Sequence, residues 1–169
     1  MIINKISNNF VFKTLKHIKH GHLKLTNFNN DVFYFGNEKE NLNILSDAGI
    51  LVAKKTGANI SVNMGKISTF WKKIPLSEEI DSFNIPIQID GFDLGVGVNI
   101  GNPHVVFFGK SIENINLNQV GPKIENHKFF PNKTNVEFIE IINSKKIKMK
   151  VWERGAGATL ACGSGACAA

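Results

Sequence analysis

A chain of 169 residues, 43% hydrophobic and 20% charged, has the composition of a folded globular domain and enough length to bury one core. This excludes a disordered, collagen-like or disulfide-stapled miniature protein. The net charge of +6, from 20 Lys and Arg against 14 Asp and Glu, is spread along the chain and forms no cationic stripe for nucleic acid. No apolar run approaches the roughly 20 residues of a membrane span, and Met1-Ile2-Ile3-Asn4-Lys5 opens no signal-peptide core. A cytoplasmic protein with neither a nucleic-acid nor a membrane partner is the expectation.

In chain order, Phe10, Thr14, Leu15 and Ile18 fall at helical spacing, Val32-Phe33-Tyr34-Phe35 reads as a short strand, and Asn-rich punctuation runs from Asn37 to Asn43. From about Ile44 the chain turns mostly β. Ile60 to Met64 and Gly95 to Ile100 alternate, Val105 to Phe108 is a continuous apolar run suited to a strand buried on both sides, and Ile115 to Val120 is a short helix candidate. Val136 to Ile141 and Ile147 to Val151 form a hairpin across Asn143-Ser144-Lys145. Pro75, Pro86, Pro103, Pro122 and Pro131 fall between these runs, where edge and turn prolines belong. Residues 163–169 start a small-residue helix.

Nineteen of the 20 cationic residues are Lys, and Arg154 is the single Arg. A position that keeps Arg while lysine serves elsewhere points to a need for a planar, bidentate guanidinium. The only two cysteines, Cys162 and Cys167, lie in the last eight residues, which argues against a structural disulfide. C-x4-C lacks a second ligand pair, and His17, His20 and His22 have no Cys or acidic partner nearby, so no metal is expected. In Val151-Trp152-Glu153-Arg154-Gly155-Ala156-Gly157-Ala158-Thr159-Leu160-Ala161-Cys162-Gly163-Ser164-Gly165-Ala166-Cys167, a strand ends in Glu-Arg, a glycine-rich turn follows, and Cys162 stands at the start of a helix. There the macrodipole and unpaired amides favour a thiolate. The amides of Gly163, Ser164 and Gly165 form a cradle for a carboxylate.

This motif resembles the second active-site motif of the diaminopimelate epimerase family. Gly101-Asn102-Pro103-His104-Val105-Val106 and Phe130-Pro131-Asn132-Lys133-Thr134-Asn135-Val136-Glu137-Phe138 resemble two further elements of that family, in its order. Val62-Asn63-Met64-Gly65 followed by Ile74-Pro75-Leu76 resembles the exit from its first lobe. The resemblance implies an α/β (α+β) fold whose lobes are mostly antiparallel, barrel-like sheets around a central helix. It places residues 44–90 at the end of a first lobe with its linker and residues 91–169 in a second lobe, after a leader over 1–43. It also implies a cofactor-independent isomerase of lysine biosynthesis. One thiolate removes the α-proton of diaminopimelate and a second thiol returns a proton on the other face, interconverting the LL and meso isomers.

Carried over motif by motif, Cys162 is a catalytic acid/base, and Gly163 and Ser164 give amides to the reacting carboxylate. Asn102 and Asn135 contact substrate, Glu153 takes an ammonium, Arg154 grips the distal carboxylate, and His104 orients neighbouring groups. Diaminopimelate is the expected small-molecule partner, and a homodimer is one assembly compatible with the family. Taken singly, Asn102 reads as a turn residue, Asn135 as a strand cap, His104 as a core histidine and Glu153-Arg154 as a surface pair. Cys167 is expected as a small core residue of the last helix.

The sequence departs from the family at Ala158, where many members carry Glu, at Lys133, where many carry Arg, and in having no cysteine before Cys162. Five helical residues set Cys167 about 140° round from Cys162, so the two thiols do not flank one α-carbon. The expectation is an incomplete or rearranged epimerase without measurable activity as this chain alone. A non-catalytic amino-acid-binding module of the same fold and a proline racemase-like isomerase are the alternatives. Gly21-His22-Leu23-Lys24-Leu25 also resembles an opening strand of cyclopropane fatty acyl phospholipid synthases, covering no catalytic residue, and makes lipid association a third reading.

Overall fold

Runs of β-branched and aromatic residues dominate the chain. In the computed structural model, which describes residues 16–17, 23–26, 32–35, 41–46, 49–56 and 59–169, they form three sheets. The contacts divide into two units, Met1–Gly65 and Lys66–Ala169. The first unit holds two antiparallel three-stranded sheets. One is made of β1 (Lys16–His17), β2 (Leu23–Thr26) and β3 (Val32–Phe35), the other of β4 (Asn41–Ser46), β5 (Gly49–Thr56) and β6 (Asn59–Asn63).

Two expectations change here. The helix read from Phe10 to Ile18 is a strand at Lys16–His17, and its other residues lie outside those described. The Asn-rich stretch supplies Asn41 to Asn43 to β4, paired to β5 from Asn41 opposite Lys54, because pairing to a neighbouring strand outweighs the weak β-propensity of Asn. The histidine cluster falls mostly outside the described residues, among which no cluster of metal-ligating side chains occurs. Among them, too, no helix is long and apolar enough to cross a membrane.

The second unit contains β7 (Val96–Asn99), β8 (Pro103–Gly109), α1 (Leu117–Glu125), β9 (Asn135–Asn143), β10 (Lys146–Glu153), β11 (Gly157–Thr159) and α2 (Gly163–Ala168). Its open sheet runs β11-β10-β9-β8-β7, giving the α+β class. All pairs are antiparallel except β8 with β9. A parallel pair needs a crossover, and the segment with α1 supplies it. Segment 66–90, assigned in part to a linker by sequence, contributes Ile74, Leu76, Ile85 and Ile87 to the core of this unit.

Strand alternation separates the sheet's two faces. Val105 and Phe107 of β8 and Val136 and Phe138 of β9 join Ile74, Ile85, Ile124 and Phe130 in one apolar core, with Phe107 and Phe138 stacked. The alternate residues of the same strands, His104, Asn135 and Glu137, face the other way and are also buried. Helix α1 packs near β9, β10 and β11, whereas α2 packs near β8 and β9.

Pro122 lies inside α1 rather than between elements, so the helix outruns the expected Val120. Its end is held by Asn126, whose backbone N–H and side-chain Nδ2 both donate to the Pro122 carbonyl. At Gly121 a Cβ would stand 2.4 Å from the Trp152 ring, so only glycine lets α1 approach β10 this closely. Gly121→Ala is therefore expected to destabilise the unit by about 1–3 kcal/mol through overpacking. Urea unfolding checks this, and a midpoint equal to that of the unsubstituted chain would contradict the packing.

Candidate active site

The register of three strands assembles the polar face of the sheet. The parallel β8–β9 pairing sets His104 opposite Asn135 and Val106 opposite Glu137, and β10 sets Val151 opposite Glu137. Two residues beyond Val151, Glu153 falls on the same face at the end of β10. The chain then turns through Gly155 and Gly157, at φ of 74° and 87°, a left-handed conformation that glycine adopts without penalty. It runs through β11 and returns Cys162 over this face as the N-cap of α2.

The Cys162 backbone is extended and its Sγ accepts the Gly165 N–H at 3.3 Å, a thiol in the place that Ser or Asp takes at most helix starts. At Gly165 a Cβ would lie 2.7 Å from Glu137 Oε1 and 3.3 Å from Sγ, so a glycine here lets the helix start seat on the buried carboxyl group.

A continuous polar chain leads to the thiol. Glu137 Oε1 lies 2.7 Å from His104 Nδ1 with both side chains fully buried, and His104 Nε2 lies 3.0 Å from Asn102 Oδ1. Asn102 Nδ2 donates to Ser164 Oγ at 3.4 Å, and that hydroxyl is 3.4 Å from Cys162 Sγ. On the other side, the Thr159 hydroxyl donates to Glu153, whose carboxyl group is close enough to act on the thiol by its charge.

The electrostatics reverse one expectation. Instead of favouring a thiolate, the surroundings push the Cys162 thiol from its ordinary 9.0 up to about 11. Burial is the main cause, the Glu153 and Glu137 carboxyls add to it, and the bonds from Ser164 and Gly165 oppose it. A helix of six residues offers too small a dipole to offset desolvation. Burial likewise raises the pKa of Glu153, against the bond from Thr159, and of Glu137, against the neighbouring His104.

Six of the expected site residues meet here: Asn102, His104, Glu153, Cys162, Gly163 and Ser164. His104 is a fully buried histidine with both ring nitrogens hydrogen-bonded, as its plainer reading has it, whereas Glu153 is buried and not part of a surface pair. Asn135 is placed differently. Its Nδ2 donates to the Pro103 carbonyl at 2.8 Å and its Oδ1 accepts the Arg154 N–H at 2.9 Å, so its amide pins the ends of β8 and β10 together. Arg154 is half-buried in the turn and donates to the Asn132 carbonyl at 3.3 Å. No carboxylate among the described residues pairs with it. Cys167, expected in the core, is exposed, because the only buried residue of α2 is Gly165.

Sequence reading passed over two carboxyl groups. Glu137 looks like the solvent face of an alternating strand, yet it is buried because α2 covers that face. Glu125, at the end of α1, accepts from Trp152 Nε1 at 2.7 Å and from the Gly155 N–H at 3.0 Å, with Lys133 Nζ at 3.7 Å. It holds the turn that presents Arg154. No local signal marks Glu137, which alternates with Val136 and Phe138 as on a half-exposed strand.

The family profile described as Diaminopimelate epimerase matches residues 96–169. Residues 96–169 thus resemble the diaminopimelate epimerase family. A diaminopimelate epimerase of Wolbachia sp. subsp. Drosophila simulans (strain wRi) is 50% identical over 121 residues, covering 71% of this chain and 46% of that protein. That of Pelagibacter ubique (strain HTCC1062) is 43% identical over 136 residues, 77% of this chain and 50% of its own length. That of Carboxydothermus hydrogenoformans (strain ATCC BAA-161 / DSM 6008 / Z-2901) is 45% identical over 132 residues, 77% and 48%. The chain thus spans about half the length of the curated relatives it matches. Every polar side chain of the site described above falls inside the segment matched to the diaminopimelate epimerase profile.

The raised Cys162 pKa has a measurable consequence. Between 9.0 and about 11 the folded state holds a proton that the unfolded chain has lost, so stability falls as pH rises through that window and is fully present below it. The loss is about 2–3 kcal/mol, from roughly 1.36 kcal/mol per unit. It is read as the difference between the chain and Cys162→Ser in urea unfolding at pH 8 and pH 11. Parallel pH dependence of the two would contradict the assignment.

Proposed function

We propose that this chain supplies one face of a diaminopimelate epimerase active site, in which Cys162 exchanges a proton with the α-carbon of diaminopimelate without a cofactor. The observation that supports this most is the single buried thiol at the start of α2, bracketed by Ser164, Glu153 and the Gly165 amide. A thiol raised to about 11 rests protonated near neutral pH. In the direction where another base removes the α-proton, Cys162 is the acid that delivers its own proton to the opposite face of the carbanion. In the reverse direction its thiolate takes the α-proton.

The carbanion's charge spreads into the carboxylate, and donors already aimed there stabilise it without reorganisation. The first amides of α2, at Gly163 and Ser164, have no partner within the helix and are the donors this reading assigns. Arg154, held in its turn by Asn135 and Glu125, is assigned the distal carboxylate, a bidentate task that Lys does not perform equally. Glu153 is assigned the ammonium beside the thiol, and Asn102 contacts substrate from the loop before β8. Asn135 acts through the backbone it pins.

The same reading keeps residues 44–90 as the end of a first lobe with its linker and residues 91–169 as a second lobe whose sheet curls around α2 as its central helix. It keeps a cytoplasmic lysine-biosynthetic role, with a homodimer as the candidate assembly.

Incubating the chain with LL-diaminopimelate in deuterated water tests the proposal. The expected outcome is slow α-deuterium incorporation that Cys162→Ser abolishes, without accumulation of the meso isomer, because the sequence has no cysteine before Cys162. Incorporation that persists in Cys162→Ser would overturn it. Binding without any exchange, read by calorimetry and weakened about tenfold or more by Arg154→Ala, would instead favour the amino-acid-binding module.

A further inference from the structure

We propose that Glu137 is a positioning residue for the thiol: by fixing which nitrogen of His104 carries a proton, it aims the Ser164 hydroxyl hydrogen at Cys162 Sγ. The inference rests on Cys162 as the proton-transfer group, but its test reads the thiol directly and needs no turnover.

Donors and acceptors alternate along the chain of contacts. Ser164 Oγ lies 3.4 Å from both Asn102 Nδ2 and Cys162 Sγ, and a hydroxyl has one hydrogen to donate. If Asn102 presents its NH2 group, the hydroxyl accepts there and its hydrogen is free for Sγ. If Asn102 presents its oxygen, it competes for that same hydrogen. The orientation of Asn102 is decided at its other end, where Oδ1 sits 3.0 Å from His104 Nε2 and needs an N–H donor.

Neutral imidazole carries one N–H, on either nitrogen. His104 Nδ1 faces Glu137 Oε1 at 2.7 Å. When Glu137 carries the proton of this contact, Nδ1 is the acceptor and the ring's one hydrogen is left on Nε2 for Asn102. The pair is then neutral overall.

Two features favour the proton on Glu137. Burial raises its pKa, and its Oε2 has no hydrogen-bond partner, which costs less for a neutral acid than for a carboxylate. Close seating of Gly165 on Oε1 keeps the carboxyl group from turning away. The titratable groups facing the thiol are Glu153 from β10, Glu137 from β9 and His104 from β8. Glu137→Gln and Glu137→Leu both lack the carboxyl group that adds to the raised pKa of the thiol, so a difference between them reads the direction of the hydrogen bonds and not the charge beside Sγ.

The test is alkylation of Cys162 by iodoacetamide at pH 8 in a Cys167→Ser background, since only the thiolate reacts. Glu137→Gln can donate its amide N–H to Nδ1 and is expected to react at the rate of the parent. Glu137→Leu releases His104 to the other tautomer and is expected to slow alkylation about tenfold, the scale of one hydrogen bond to a charged group. Asn102→Ala removes the competing acceptor, so combining it with Glu137→Leu is expected to restore most of the rate.

Nitrogen-15 NMR of the unsubstituted imidazole gives a second readout that does not depend on the leucine variant folding. A hydrogen on His104 Nε2 is expected throughout pH 6 to 9. A bare Nε2, an unchanged rate in folded Glu137→Leu, or equal slowing by Gln and Leu would each overturn the proposal.

Discussion

The second unit is organised around a carboxyl group and an imidazole buried together beneath the start of a helix. Glu137 and His104 lie on adjacent parallel strands, and neither exposes any surface. Two such groups are tolerated only as partners, because either alone would be a desolvated polar group without a bond. Their pairing requires the β8–β9 register, and that register also turns Val105, Phe107, Val136 and Phe138 toward the apolar core. Slipping it by one residue would exchange the two faces. The sheet's core side and its chemical side are thus specified by one arrangement, and α2 covers the latter only because Gly165 lets the backbone close on Glu137.

Much of this was legible in the sequence. Val105 to Phe108 and the hairpin of β9 and β10 stand where alternation and apolar runs put them, and the Glu-Arg-Gly-x-Gly turn does end a strand. Asn102, His104, Glu153 and Ser164, which the motifs single out, do gather around one thiol, while Asn135 and Arg154 bond to backbone instead. What was not legible depends on burial by distant segments. Glu137 alternates like a solvent-facing residue, and nothing local reveals that a helix beginning at Gly163 lies over it. Asn135 looks like a ligand-contacting amide until both its ends are found on backbone. Cys167 looks like a core residue because small residues surround it, but so short a helix buries little more than Gly165. Pro122 reads as punctuation, whereas packing of α1 against Trp152 holds it within a helix.

The acidity of Cys162 shows why such effects have to be weighed and not just named. A helix start and two hydrogen bonds favour the thiolate, while burial and two carboxyl groups oppose it, and burial is the largest single contribution. The outcome is a thiol at rest, which suits a group that donates a proton to a carbanion. In the proposed reaction, hydrogen bonds from Ser164 and the Gly165 amide stabilise the thiolate left once the proton has gone. Register and network converge on one protonated sulfur at the start of α2.

The most direct test of that account is the infrared S–H stretch of Cys162 in the Cys167→Ser chain, which reports the proton on sulfur itself. The account predicts a hydrogen-bonded S–H band at neutral pH that disappears only as the pH approaches about 11. A band already absent at pH 7, leaving a thiolate at rest, would contradict it.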